Sequence, residues 1–253
     1  MVTRLDRQIG QRLQFIRERI DAVCARVGRN PDEVELLLAT KTVPVEKLAA
    51  AARAGYVLFG ENRVQEARAK AGRLAQIAPD MAAKTRWHMI GHLQTNKLKH
   101  MLGFAEAVQS IDRPRLIDRL AARLANDGRE IDVYVQVNTS GEESKYGAAP
   151  EETRALVEAC QAAPGLLLKG LMTIGRLGSI PKAARRDFAA LRGLRDQLCA
   201  EGMLMAGQRG LSMGMSGDFE VAIEEGATLV RVGTAIFGQR STPDSHYWPE
   251  APA

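Results

Sequence analysis

Eight short apolar runs follow one another along the chain, each leading through a polar or glycine-bearing junction into a segment rich in Ala, Leu, Arg and Glu. The runs are VELLLAT (34–40), VLFGE (57–61), RWHMIG (86–91), AVQSI (107–111), DVYVQVN (132–138), LLLKGLMTIG (166–175), LSMGMS (211–216) and LVRVGTAIFG (229–238). Between them lie helical segments such as VEKLAAAARAG, NRVQEARAKAGRLAQI, PRLIDRLAARLANDG, PEETRALVEACQAA, AARRDFAALRGLRDQLCAEG and DFEVAIEEGA. Near-continuous apolar strands that alternate with helices imply a parallel sheet covered on both faces, because crossover helices are what supply that cover. Eight such units in succession predict a single closed (β/α)8 barrel, a TIM barrel, over residues 34–240. An open doubly wound sheet is the alternative. Its Rossmann form is weakened because no GxGxxG follows the first strand.

Ahead of the barrel, Leu5, Ile9, Leu13, Ile16, Ile20 and Val23 recur every three or four residues, with charges between them. That spacing predicts an amphipathic helix over 3–27, ended by the turn GRNPD. It carries one apolar stripe, so it is expected to cap the barrel floor and not to pair with a second copy; a monomer is expected. The tail 241–253 reads as irregular, and no linker or break in composition divides residues 1–253, which read as one domain.

The chain carries a formal charge of +5, but the charges are mixed in sign and aromatic residues make up only 5%. No basic block interleaved with aromatics is present to stack bases, which argues against nucleic acid as a partner. The most cationic stretch, HLQTNKLKHML at 92–102, reads as a solvated helix face. No run approaches the roughly 18 consecutive apolar residues of a membrane span, and the first 20 residues are studded with charge, so a cytoplasmic protein is expected. Cys24, Cys160 and Cys199 are far apart and form no CxxC pair; they read as buried thiols.

In such a barrel the carboxyl ends of the strands and the loops after them build the active face. Here those ends carry Lys41, Glu61, Asn62, His88, His92, Asn138, Thr173, Ser216, Gly233 and Thr234. SMGMSGD (212–218) and RVGTAIFG (231–238) each read as an anion cradle, with backbone N–H groups and small hydroxyls presented after the last two strands. Lys41 ends the apolar run of the first strand between two small threonines. A lysine at a strand end ordinarily reaches solvent. A desolvated one favours the neutral amine that Schiff-base chemistry requires. Opposite a phosphate cradle, such an amine suggests pyridoxal phosphate. His88 and His92 have a metal-like spacing, but on a strand they stand about 13 Å apart, so no metal is expected and His88 reads as a rim residue.

ATKT at Lys41, GENRVQEA (60–67), WHMIGHLQTNK (87–97), VQSID (108–112), VNTSGEESKYG (138–147), GLMTIG (170–175), LSMGMSGDFEVAIEEGAT (211–228) and VRVGTAIFG (230–238) together resemble the pyridoxal phosphate homeostasis protein family, in collinear order. The resemblance implies a barrel like the N-terminal domain of alanine racemase, with pyridoxal 5'-phosphate held as a Schiff base on Lys41. It places Ser216, Gly217, Gly233 and Thr234 on the phosphate, Arg231 near the pyridine nitrogen and Asn62 beside the ring. Ala39-Thr40 and Val43-Pro44 depart from the valine-serine and lysine-proline that the family more often shows around its lysine.

An arginine beside the ring nitrogen has no acceptor to offer and disfavours ring protonation, which weakens the cofactor as an electron sink. A carrier that passes cofactor to pyridoxal phosphate-dependent apoenzymes, with little or no amino-acid turnover and no catalytic residues of its own, is therefore expected. Two Schiff-base enzymes are the rivals. A racemase-like enzyme would need His88 or Tyr146 as its base, and a class I aldolase-like barrel would use Lys41 on a phosphosugar directly.

Overall fold

A computed structural model describes residues 2–142, 145–175 and 181–239. Eight parallel strands close into a barrel in sequence order: β1 (Glu35–Ala39), β2 (Leu58–Glu61), β3 (Arg86–Met89), β4 (Ala107–Ile111), β5 (Ile131–Gln136), β6 (Leu166–Met172), β7 (Gly210–Ser212) and β8 (Leu229–Val232). The seam is made by Leu36 opposite Val230 and Leu38 opposite Val232. This is the (β/α)8 architecture expected. The helices are α1 (Arg4–Arg26), α2 (Val45–Arg53), α3 (Val64–Ile77), α4 (Pro79–Ala82), α5 (Leu98–Met101), α6 (Pro114–Asp127), α7 (Thr153–Ala162), α8 (Pro181–Ala200), α9 (Phe219–Glu224) and α10 (Thr234–Phe237). The tail 241–253 lies outside the described residues.

The strands form where apolar residues face both ways. Leu36, Leu37 and Leu38 are all buried, Leu36 and Leu38 in the outer core beneath the helices and Leu37 in a second, smaller cluster with Leu58, Ile90 and Leu229. That second cluster plugs the barrel interior. A Cβ on Gly60 would come within 2.3 Å of Leu37 Cδ2 and 3.0 Å of Ile90 Cδ1, so this glycine makes room for the plug. Most strands are somewhat shorter than their apolar runs, β7 and β8 most of all. β7 stops at Ser212 because Gly214 turns the chain at φ +93, and β8 stops at Val232 because residues 234–237 coil into one helical turn.

Helix α1 starts on a reciprocal cap, with Asp6 N–H donating to Thr3 Oγ1 at 3.1 Å and Thr3 N–H to Asp6 Oδ2 at 2.8 Å. Its stripe of Ile9, Leu13, Ile16, Ile20 and Val23 is buried as the spacing predicts. The expected position on the barrel floor is corrected. α1 packs against α2, α9 and α10 on the outside, tied by Arg12 to Ile236 O at 3.0 Å and by Arg19 to Glu220 at 2.9 Å. Among the described residues only the four-residue α10 follows β8, so there the β8–β1 seam has little outer cover of its own. α1 supplies it. No helix among the described residues is long and apolar enough to cross a membrane.

Candidate functional site

Lys41 stands two residues past the end of β1 and is only 8% exposed. Thr42, next to it, adopts φ +62, a conformation that a β-branched residue enters at a cost of about 1 to 3 kcal/mol unless its surroundings hold it. They do. Thr42 N–H donates to Glu66 Oε1 at 2.6 Å and its hydroxyl to Lys41 O at 2.6 Å. Glu66 belongs to a part-buried ionic cluster. Lys70 Nζ donates to Glu66 Oε1 and Glu61 Oε1, both at 2.6 Å, and to Thr40 O at 2.5 Å, which uses all three of its N–H groups. Thr40 Oγ1 donates to Glu61 Oε1 at 2.8 Å. Burial pushes the Glu61 carboxyl up, and the charge of Lys70 pulls the other way. The turn that carries Lys41 is thus fastened to α3.

The other expected phosphate residues meet on the same face. Gly233 N–H and Ala235 N–H donate to Ser216 Oγ at 3.2 and 3.3 Å, so the turns after β7 and β8 converge on one hydroxyl. With two donors already on its oxygen, the serine has its own proton left to donate. Thr234 opens α10 within this turn, and a Cβ on Gly217 would point into open space. A Cβ on Gly233 would meet Ala39 O at 2.8 Å, which brings the end of β8 against the end of β1 two residues before Lys41. Asn62 follows β2 and lies against the loop after β3, where a Cβ on Gly91 would strike its carbonyl oxygen at 2.5 Å.

Arg231 projects into the lumen, where its two terminal nitrogens donate to Ser212 Oγ and Thr173 O, both at 2.7 Å. Burial lowers its pKa to about 10, opposed by Asp218, so it stays cationic at neutral pH. His88 is also in the lumen, 4% exposed, and this corrects its placement on the rim. Its Nδ1 is 2.8 Å from Gln109 Nε2, and burial, with Arg86 contributing, drives its pKa down to about 3. His92 turns the other way, to Asp112 at 3.2 Å, and stacks on Tyr146 with ring centroids 4.1 Å apart. Asn62, Arg63, His92, Lys97 and Tyr146 line a cleft of about 550 Å3 at the mouth. Among the described residues no group of three or more His, Cys, Asp and Glu side chains could hold a metal ion.

Sequence reasoning did not single out Lys70, Gln109 or Ser212. Lys70 had a local signal, the i, i+4 spacing from Glu66 on α3. Gln109 and Ser212 had none, since their contact spans 103 residues.

Residues 12–241 match the model of the alanine racemase N-terminal domain. A pyridoxal phosphate homeostasis protein of Aquifex aeolicus is 42% identical over 91% of this chain and 97% of that protein. The human protein of the same name is 37% identical over 93% of this chain and 90% of its own length. Among solved structures, PipY of Synechococcus elongatus PCC7942 with pyridoxal phosphate bound superimposes with a TM-score of 0.76 at 31% identity, covering 91% of this chain and all of that one.

Proposed function

This chain belongs to the alanine racemase N-terminal domain family and to the pyridoxal phosphate homeostasis protein family, and from that premise we propose that it binds pyridoxal 5'-phosphate on Lys41 and serves in the homeostasis of that cofactor. The observation that carries this reading is the meeting of a nearly buried lysine at the end of β1 with a turn whose N–H groups and hydroxyl converge after β7 and β8. The donor set fits such a ligand: one primary amine for an aldehyde, N–H and O–H donors for a phosphate, and a guanidinium that only donates. Bound there, the cofactor would supply a carbonyl that amines attack reversibly.

The residues then divide the work. Lys41 presents the amine, on a turn that Glu66 and Lys70 hold in place. Ser216, Gly217, Gly233 and Thr234 would hold the phosphate, and Asn62 would lie beside the ring. Arg231, fixed by Ser212 and Thr173, would face the ring nitrogen with a guanidinium that has no acceptor to offer, which would disfavour ring protonation and weaken the cofactor as an electron sink. Neither expected rival base is well placed for turnover. His88 has its Nδ1 engaged by Gln109 in the lumen, and Tyr146 is 39% exposed and stacked on His92. The reading is a cofactor carrier that yields its load to the amines of acceptor apoenzymes and turns over amino acids slowly or not at all.

The test is an absorbance spectrum of the protein with pyridoxal phosphate, beside Lys41→Ala. A long-wavelength band is expected in the wild type and not in the variant, and borohydride reduction followed by peptide mapping should place the pyridoxyl mass on Lys41. A label on another lysine overturns the attachment. Racemisation or decarboxylation of an amino acid at about 1 per second or faster, an ordinary enzymatic rate, overturns the carrier.

A further inference from the structure

Four side chains are joined end to end across the barrel lumen. Arg231 on β8 meets Ser212 Oγ on β7 at 2.7 Å, Ser212 meets Gln109 Oε1 on β4 at 2.6 Å, and Gln109 Nε2 meets His88 Nδ1 on β3 at 2.8 Å. In the closed strand order β3 and β4 stand opposite β7 and β8, so the chain of contacts runs from wall to wall. All four side chains are buried.

The direction of this relay is fixed from one end. A guanidinium carries only donors, so Arg231 gives its N–H to Ser212 Oγ. The serine must then send its own proton to its other neighbour, which is Gln109 Oε1. Turning the Gln109 amide over would set an NH2 against that hydroxyl and leave a buried proton without an acceptor, an arrangement folded proteins avoid. With Oε1 so placed, the NH2 faces His88, and Nδ1 has to accept. The imidazole proton is thereby confined to Nε2.

We propose that Gln109 is a positioning residue that locks His88 as the neutral Nε2–H tautomer, so that this wall of the lumen offers a proton donor and no base. The arginine thus governs the histidine through two intervening side chains. The depressed pKa of His88 accords with this, since no charged form intervenes at neutral pH. The inference rests on lumen hydrogen bonds alone and is separable from the cofactor reading. Combined with that reading, it gives a reason why an amine held near Arg231 would keep its α-hydrogen.

Long-range proton–nitrogen NMR on the uniformly 15N-labelled full chain, without cofactor at pH 7, reads each ring nitrogen separately. The chain has four histidines, and His88→Gln identifies the relevant signals by their loss. The expected wild-type pattern is an unprotonated Nδ1 and a protonated Nε2, with a cross-hydrogen-bond N–N coupling that links Nδ1 to a glutamine side-chain amide. That coupling should vanish in Gln109→Leu. A protonated Nδ1 in the wild type, or an unprotonated Nδ1 without the coupling, overturns the proposal. Both readings come from wild-type protein, so the result stands even where Gln109→Leu fails to fold, and His88→Asn supplies the assignment where His88→Gln does not fold. A missing pyridoxyl label on Lys41 would leave these signals unchanged, which keeps the two failures apart.

Discussion

Lys70 Nζ sits 2.6 Å from Glu61 Oε1, and the two side chains are 11% and 0% exposed. Removing one member of a buried ion pair leaves the other charge uncompensated, at a cost of about 3 to 5 kcal/mol. Lys70→Met should therefore lower the melting temperature sharply and loosen the turn that carries Lys41. Without the ammonium, the Glu61 carboxyl is pushed further up by burial, so it contributes stability at acidic pH and loses it as pH rises through its raised pKa. Urea unfolding of Lys70→Met should accordingly improve on acidification, and Glu61→Gln in the same background should recover stability at pH 7. Unchanged unfolding of Lys70→Met would show that the cluster holds nothing.

Ser216 Oγ accepts from Gly233 N–H and Ala235 N–H, which leaves its own proton to be donated, in the proposed site to the phosphate. A hydrogen bond to a charged group contributes about 1.5 to 3 kcal/mol. Ser216→Ala should weaken binding of pyridoxal phosphate by roughly 10- to 100-fold while changing the affinity for pyridoxal, which lacks the phosphate, little. Absorbance titration with the two aldehydes measures the difference. Equal losses for both would remove the serine from the phosphate.

The architecture was legible because the eight strands are apolar on both faces, as parallel strands under helices must be. Their ends were less so. LSMGMS and LVRVGTAIFG read as longer strands because apolar residues continue past Ser212 and Val232, where a left-handed glycine and a single helical turn redirect the chain. Candidate site residues such as Lys41 and Ser216 could be named because each closes an apolar run of the sequence on a polar group. The lumen relay could not. Gln109 and Ser212 are neighbours only once the sheet closes and sets β4 across from β7, and no local pattern encodes that closure.

Gly170 tests the closure itself. A Cβ at this position would stand 1.9 Å from Gly210 O and 2.6 Å from Gly210 C, on the partner strand β7, next to the point where the β5–β6 register shifts. Backbone cannot swing aside as a side chain can. Gly170→Ala should cost about 3 kcal/mol or more, the upper range for overpacking, and circular dichroism melting should show it. Gly193→Ala on α8, where a Cβ meets nothing within 4 Å, is the matched control and should leave the melting temperature level or slightly raised. Two equal melting curves would contradict the close approach of β6 and β7.

His88 supplies the pH dependence. Its pKa falls from 6.5 to about 3 on folding, with burial as the main cause and Arg86 next. A base with a depressed folded pKa contributes stability that is complete above 6.5, its unfolded value, and is lost as pH falls from there toward 3. Each unit of that descent removes about 1.4 kcal/mol of unfolding free energy from this residue alone. Other groups act over the same interval, and the raised carboxyls of Glu61 and Asp218 work in the opposite sense. The contribution of His88 is therefore read as a difference: the wild type should lose stability to urea between pH 6.5 and 4 more steeply than His88→Gln, which keeps a polar group for Gln109 but cannot titrate. Parallel slopes for the two proteins would mean that His88 takes up its proton in the folded barrel as readily as in the unfolded chain, and that Gln109 does not hold Nδ1 as an acceptor below pH 6.5.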